Sequence, residues 1–404
     1  MSIEEIIRRQ SLLEKSDLYK VFTPNQPSTD NFFCGRERET SNILEALHAK
    51  KCHVLLYGDR GVGKTSLATY SCSKANEYYS LEFHRVACDR HSTFGTIMAQ
   101  FLTMLDVDIV AKKTSSVKKS GGLRTNLSLS KEKQFTTESP LLPTTDDVNW
   151  VVQRLRECNE CVLLIDEFDL IASEEKKYFS TLMKHLSDNK SPVLLMIVGV
   201  SLTMKDLMAG HASTIRSITE VNLNRMSSQE LSDIITKGEE RIGIQFLPAV
   251  KERIVQDSMG FPYFTHLLAL ESAKNTIGEG RGTVTLDDYR EGVATAIKEN
   301  SSALQSKIDA TLGFRNTELR KKLLLAAASI DDKVFTAEQW RNKYHEITGS
   351  DITQNKINAN MDKAIQDSPD SVLQREAKGR YFFADPRMPV YIKLCCSDIL
   401  ECRP

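Results

Sequence analysis

Apolar positions recur along the chain at two periods, and the switches between them outline its elements. Residues 1–15 (MSIEEIIRRQSLLEK) carry apolar side chains at helical spacing. The following VFTPNQPSTDN is punctuated by prolines, which predicts an extended stretch. Residues 36–50 set Ile43, Leu44 and Leu47 at helical spacing among charges. HVLLY, residues 53–57, is a short apolar strand that runs into a glycine-rich turn and then a helix over 66–78. LEFHRVACD reads as a second strand, and residues 93–105 as another amphipathic helix. Further on come a helix over 147–157, the strand CVLLI, a helix over 174–187, and the strands VLLMIVGV and ITEVNL. Continuously apolar strands separated by helices predict a parallel sheet covered on both faces.

The rhythm then changes twice. Residues 227–300 read as helical throughout. The last hundred residues predict helices at 319–329, 337–347 and 353–366, the third with Ile357, Met361 and Ile365 on one face. SVLQRE and RYFFA then flank the turn Ala377-Lys378-Gly379 as a hairpin. Three helices followed by a two-stranded wing predict a winged helix. One segment breaks the pattern. Residues 111–147 are Ser/Lys-rich, and residues 112–133 hold seven basic residues against one acidic, Glu132. A solvated loop is the plainer reading of this insertion, and a surface for nucleic acid or a partner subunit is the other. The expected divisions are 1–32 (helix and extended segment), 33–226 (core), 227–300 (helical lid) and 301–404 (winged helix).

Composition changes little in this picture. The 404 residues have an ordinary globular balance, 41% hydrophobic and 26% charged. A net charge of -1 argues against a protein that is basic throughout, while leaving room for a local basic face. No apolar run is long enough for a membrane span, and the first residues lack the pattern of a signal peptide. The nine cysteines are an odd, scattered set that suits a reducing, cytoplasmic setting. Cys158 and Cys161 form a C-x-x-C with no second pair at zinc spacing, so they read as structural.

The chemistry is concentrated at two places. Gly58-Asp59-Arg60-Gly61-Val62-Gly63-Lys64-Thr65, followed by Ser66, matches G-x-x-x-x-G-K-[ST] in full. It lies between a strand and a helix, as a P-loop requires. Such a loop turns several N–H groups toward one point, and the helix N-terminus adds its dipole there. Lys64 is placed for the β- and γ-phosphates of ATP, and the Thr65 hydroxyl for Mg²⁺. About a hundred residues on, Leu163-Leu164-Ile165-Asp166-Glu167 puts two carboxylates at the exit of a buried strand. Asp166 is the candidate Mg²⁺ acid. Glu167 is the candidate base for an attacking water. Asp169 reads as a helix cap or a neighbour of the metal shell. Ser201, or less readily Thr203, follows VLLMIVGV where a hydroxyl could touch the γ-phosphate; a helix N-cap is the even alternative.

Together these residues resemble the AAA+ ATPases of the origin-recognition and initiator type, on the border with the STAND signalling ATPases. The resemblance rests on Phe33-Cys34-Gly35-Arg36-Glu37, GDRGVGKTS, LLIDEFD, IVGVS, residues 211–216 and Gly260-Phe261-Pro262, in that order. It implies an α/β P-loop NTPase sheet with a helical lid and a C-terminal winged helix. It further implies that Phe33 to Arg36, helped by Val21 and Phe22, pack beside the adenine, and that Pro262 lies near the base. Ser201 falls at the sensor 1 position. Arg216 falls where a neighbouring subunit inserts an arginine, which implies a homo-oligomer. Tyr263-Phe264-Thr265-His266 stands where initiators place a sensor 2 arginine. The implied function is an ATP-binding and ATP-hydrolysing switch that controls an effector protein, such as one in a prokaryotic defence system. The alternative is a DNA-acting initiator, loader or mobile-element regulator. Between Ser301 and Pro404, sixteen Lys or Arg stand against fourteen Asp or Glu, a net of +2, which is a weak charge for a DNA module.

Overall fold

A computed structural model describes residues 3–24, 33–107, 148–200, 217–300, 302–312, 317–366 and 371–396. The insertion at 111–147, Ser201, Thr203 and residues 211–216 with Arg216 lie outside the described residues. The chain gathers into two compact units. One comprises Met1–Thr40, Gly58–Tyr70 and Asn222–Pro404; the other comprises Ser41–Tyr57 and Ser71–Val221.

The second unit is built on a five-stranded sheet of order β2-β3-β4-β1-β5. Its strands are β1 (His53–Gly58), β2 (Glu82–Ala87), β3 (Cys161–Asp166), β4 (Val193–Val200) and β5 (Ile218–Leu223). β2 pairs parallel to β3, and β3 parallel to β4. β3 is buried along its whole length, as its unbroken apolar run requires. Alternate residues of the strands enter different layers. Val86, Leu163, Ile165, Leu195 and Ile197 join Phe94, Phe101, Phe168 and Phe179 in one core cluster. On the other face the thiol of Cys72 lies 3.9 Å from the Met196 sulfur. The helix Phe94–Met104 starts at a capping box made by Thr93 and Thr96.

In the other unit, sequence signals mark the lid helices well. Ser227 and Glu230 close a capping box for the helix Ser228–Ile242, and Gly243 ends it in the left-handed conformation. Pro248 and Pro262 open the helices Pro248–Ser258 and Pro262–Gly278. Two short strands, β6 (Gln245–Phe246) and β7 (Thr283–Val284), pair parallel between them. Nothing in a purely helical reading of 227–300 anticipates this ladder. Phe22 packs into the lid: a Cβ on Gly238 would stand 2.3 Å from the Phe22 ring. Phe246 and His266 meet the same ring edge-on.

The C-terminal part contains the helices Thr317–Ala328, Ala337–Thr348 and Gln354–Met361, as expected in order. The third is shorter than its apolar periodicity suggests. The hairpin is present as β9 (Leu373–Ala377) and β10 (Arg380–Phe383), and β8 (Val334–Thr336) joins them in the order β8-β10-β9. Phe335, Trp340 and Tyr381 form its aromatic centre. The indole of Trp340 donates to the Leu323 carbonyl at 2.8 Å. A last helix, Met388–Cys395, follows the hairpin.

Candidate functional site

The P-loop takes the shape its glycines permit. A Cβ on Gly58 would stand 2.3 Å from the Leu223 carbonyl, so only glycine fits where the loop leaves β1. Gly61 and Gly63 have φ of +85° and +93°, which curl the loop toward the helix Lys64–Tyr79. The Lys64 ammonium is buried in the curl and donates to the carbonyls of Gly58 (3.1 Å) and Asp59 (2.8 Å). It is thus held over the loop where phosphate oxygens would be received. Thr65 and Ser66 lie in the first turn of the same helix.

Several residues named with the P-loop gather round it within this unit. Arg36, buried and at φ +69°, donates to the Val62 carbonyl at 3.4 Å and to the Asn224 carbonyl at 2.6 Å. A Cβ on Gly35 would stand 3.2 Å from the Met226 side chain and 3.3 Å from that of Glu230. Phe33 stacks on Tyr70 of the P-loop helix, centroids 4.1 Å apart and rings 16° from parallel. The ring of Pro262 comes within 3.7 Å of the position a Cβ would take on Gly63. The proline therefore opens its helix and flanks the P-loop at once.

Three cations near the loop are not legible along the sequence. Lys333 is 3.1 Å from the carboxylate of Asp59. Arg225 is 3.9 Å from the same carboxylate and lies over the Phe261 ring at 4.5 Å. Arg387 packs against the loop: its Cδ is 3.0 Å from the place of a Cβ on Gly61. Asp385 grips Arg387 through two nitrogens, at 3.1 and 2.8 Å. Burial alone would raise the Asp385 carboxyl, but the Arg387 hydrogen bond and charge prevail and hold it below the usual range. Tyr263 lies under Arg387 at 5.8 Å, while Phe264, Thr265 and His266 turn into the core. Each of these cations is distant in sequence from the loop, so no local spacing reveals it. Asp59 has no evident task in the P-loop pattern; a carboxylate at that position is the one hint that a cation must meet it.

The acidic pair belongs to the second unit. Asp166 ends β3 buried, and Glu167 follows exposed, at φ 55° and ψ 33°. The Asp166 Oδ1 accepts the Glu167 N–H at 2.9 Å, and Oδ2 accepts Arg85 at 2.7 Å. Asp169 does not cap a helix; it accepts the Val200 N–H at 2.8 Å and so ties the end of β4 to the DEFD turn. Glu220 takes the hydroxyl of Tyr57 at 3.2 Å. Cys161 faces the core, and burial pushes its thiol up to about 12.

Mg²⁺ suits these donors. It prefers hard oxygen ligands, needs only one or two carboxylates, and takes the rest of its shell from phosphate and water. The Asp166 carboxylate in one unit and the Thr65 hydroxyl in the other are each an oxygen donor of the hard kind. Among the described residues no group of three or more His, Cys, Asp or Glu forms a metal cage. Among them, too, no helix is long and apolar enough to cross a membrane.

A glycine-curled loop with a buried lysine, opening a helix after a sheet strand, defines a P-loop NTPase. The chain belongs to the Novel STAND NTPase 1 family, whose model matches residues 19–359. Among solved structures it is similar to the ORC2 protein of Aeropyrum pernix in its ADPNP–ADP complexes. The two share 16% identity over 95% of this chain and 98% of that one, with a TM-score of 0.52. It is likewise similar to a Walker-type ATPase of Pyrococcus abyssi, at 16% identity over 93% of this chain and 99% of that one, TM-score 0.52. Both likenesses concern the fold. A search of curated proteins finds no match. The chain is therefore a P-loop NTPase of the STAND type, with a fold like that of ORC2.

Proposed function

We propose that the protein is an ATP-driven switch: it binds ATP with Mg²⁺, hydrolyses it, and passes the difference between the two states to its C-terminal segment. Lys64 and the loop N–H groups hold the phosphates, while Thr65 and Asp166 serve the metal. Glu167 accepts the proton of the attacking water. Phe33, Arg36 and Pro262 border the nucleotide's base end, with Tyr70 backing Phe33. That the A. pernix relative was solved with ADPNP and ADP supports the nucleotide reading.

The observation that carries the switch is the contact of Lys333 with Asp59 and of Arg387 with Gly61. Both cations come from the C-terminal segment and both touch the P-loop. The Lys333 side chain is largely exposed, and such a pair is worth about 0–1 kcal/mol. It can be made and broken at small cost. A change in the loop on phosphate loss then reaches β8 and the Met388–Cys395 helix directly. Hydrogen exchange of these two peptides, compared between Glu167→Gln with ATP and the wild type with ADP, tests the coupling. Different protection is expected; identical exchange in both states contradicts it.

An effector protein fits as the partner better than DNA. The wing's Arg380 is already paired with Glu376 at 3.1 Å, and Asn360 of the third helix is buried on the Lys356 carbonyl. Lys356, Lys363, Arg375 and Lys378 remain exposed, too few for a basic stripe. Winged-helix DNA contact through these groups and the 112–133 insertion is the alternative. Self-assembly, with Arg216 acting on a neighbour's ATP, completes the proposal. Sedimentation of Glu167→Gln should show a larger species with ATP than without it, and a monomer in both cases would count against assembly.

A further inference from the structure

β2 lies at one edge of the described sheet, and its register sets Arg85 opposite Leu164 and Ala87 opposite Asp166. Paired residues, and residues two apart, share a sheet face. Arg85 is therefore on the same face as Asp166, opposite the one where Val86, Cys88, Leu163 and Ile165 enter the core. Its guanidinium reaches along the strand to Asp166 Oδ2 at 2.7 Å. The partners are unequal: the Arg85 side chain is 36% exposed and that of Asp166 only 4%. A tethered guanidinium thus stands over a fixed, buried carboxylate.

A hydrated Mg²⁺ draws on the same oxygen. It is small, holds its waters tightly, and binds through one or two carboxylates in near-octahedral geometry. Oδ1 accepts the Glu167 N–H and Oδ2 accepts Arg85, so a cation drawn to Oδ2 meets the guanidinium there. From this geometry we infer that Arg85 is a positioning residue that sets the metal dependence of the site. It holds the Asp166 carboxylate in place, and it swings away toward the sheet edge when the metal's shell takes Oδ2. The inference rests on the reading of Asp166 as the Mg²⁺ acid.

Mn²⁺ titration of the full chain with a non-hydrolysable ATP analogue, followed by the paramagnetic resonance of free Mn²⁺, tests it without reference to turnover. Arg85→Gln should lower the half-saturating Mn²⁺ about two- to fivefold, the range expected for losing a partly exposed ion pair. Arg85→Lys, which keeps a charge but loses the planar fork, should fall between it and the wild type. A purely structural Arg85 predicts the opposite, since loosening Asp166 weakens the metal. Arg85→Gln with equal or weaker Mn²⁺ binding at an unchanged melting temperature overturns the inference. If Arg85→Gln melts early, Arg85→Lys decides instead, and wild-type affinity there overturns the inference equally. Asp166→Asn separates the metal acid from the competition. Loss of Mn²⁺ binding there supports the acid, whereas wild-type binding there removes Asp166's metal role and the competition together.

Discussion

His53 shows how much one polar side chain can fix inside an apolar sheet. It begins β1, is fully buried, and makes three contacts. Nδ1 accepts the Leu195 N–H at 2.9 Å, while Nε2 lies 3.0 Å from the Met183 carbonyl and 3.1 Å from the Ser187 hydroxyl. The first bond requires an unprotonated Nδ1, so the neutral imidazole is the form that fits. Burial pushes its pKa down from 6.5 to about 4, despite the Met183 carbonyl, which favours the charged form. His266 in the other unit is pushed down to about 4 by burial alone, and its Nδ1 accepts the Thr23 N–H at 3.3 Å. Both groups have a folded pKa below the unfolded one. The unfolded chain therefore takes up protons first, and stability is lost as pH falls from about 6.5 toward 4. Each histidine contributes up to about 3 kcal/mol across that window, at 1.36 kcal/mol per pKa unit. Urea midpoints at pH 7, 6 and 5 should fall steeply for the wild type and less steeply for His53→Asn. Equal slopes would show that His53 does not hold the neutral form.

At the scale of elements, the legible parts are those whose signal is local. The P-loop, LLIDEFD, the capping box from Ser227 to Glu230 and the turn at Gly379 each specify their own geometry within a few residues. The structure has a helix starting at Lys64, a strand ending at Asp166 and a hairpin at Gly379. The elements that local pattern does not reveal depend on partners distant in sequence. β6 and β7 have two residues each and exist because Gln245 and Phe246 meet Thr283 and Val284 across two helices. β8 is three residues that become a strand only by pairing with β10. The helix predicted over 353–366 stops at Met361 because Ile365 bridges to Leu373 and enters the sheet side of the segment. Periodicity cannot see that competition. Asp169 departs from the helix-cap expectation for a similar reason: its partner, the Val200 N–H, is supplied by the next strand rather than by the following turn. The candidate site residues divide along the same line. Lys64, Thr65, Asp166 and Glu167 are written in motifs, whereas Tyr70, Arg85, Arg225, Lys333 and Arg387 acquire their places only through the fold.

In the whole molecule, one compact unit holds a P-loop touched by the C-terminal segment's cations, and the other holds an acidic pair at the end of a buried strand. The family assignment makes the chain a STAND NTPase, and the likeness to ORC2 concerns its fold. The central claim is that Lys64 holds ATP and that Glu167 is the base for its hydrolysis. The most direct measurement incubates wild type, Lys64→Ala and Glu167→Gln with γ-labelled ATP and Mg²⁺, then reads bound ATP and released phosphate separately. Repeated phosphate release is expected from the wild type, and no retained nucleotide on Lys64→Ala. Glu167→Gln should hold intact ATP, with hydrolysis slowed about 10²–10⁴-fold. Nucleotide bound to Lys64→Ala at wild-type affinity, or phosphate released by Glu167→Gln at wild-type speed, would contradict the claim.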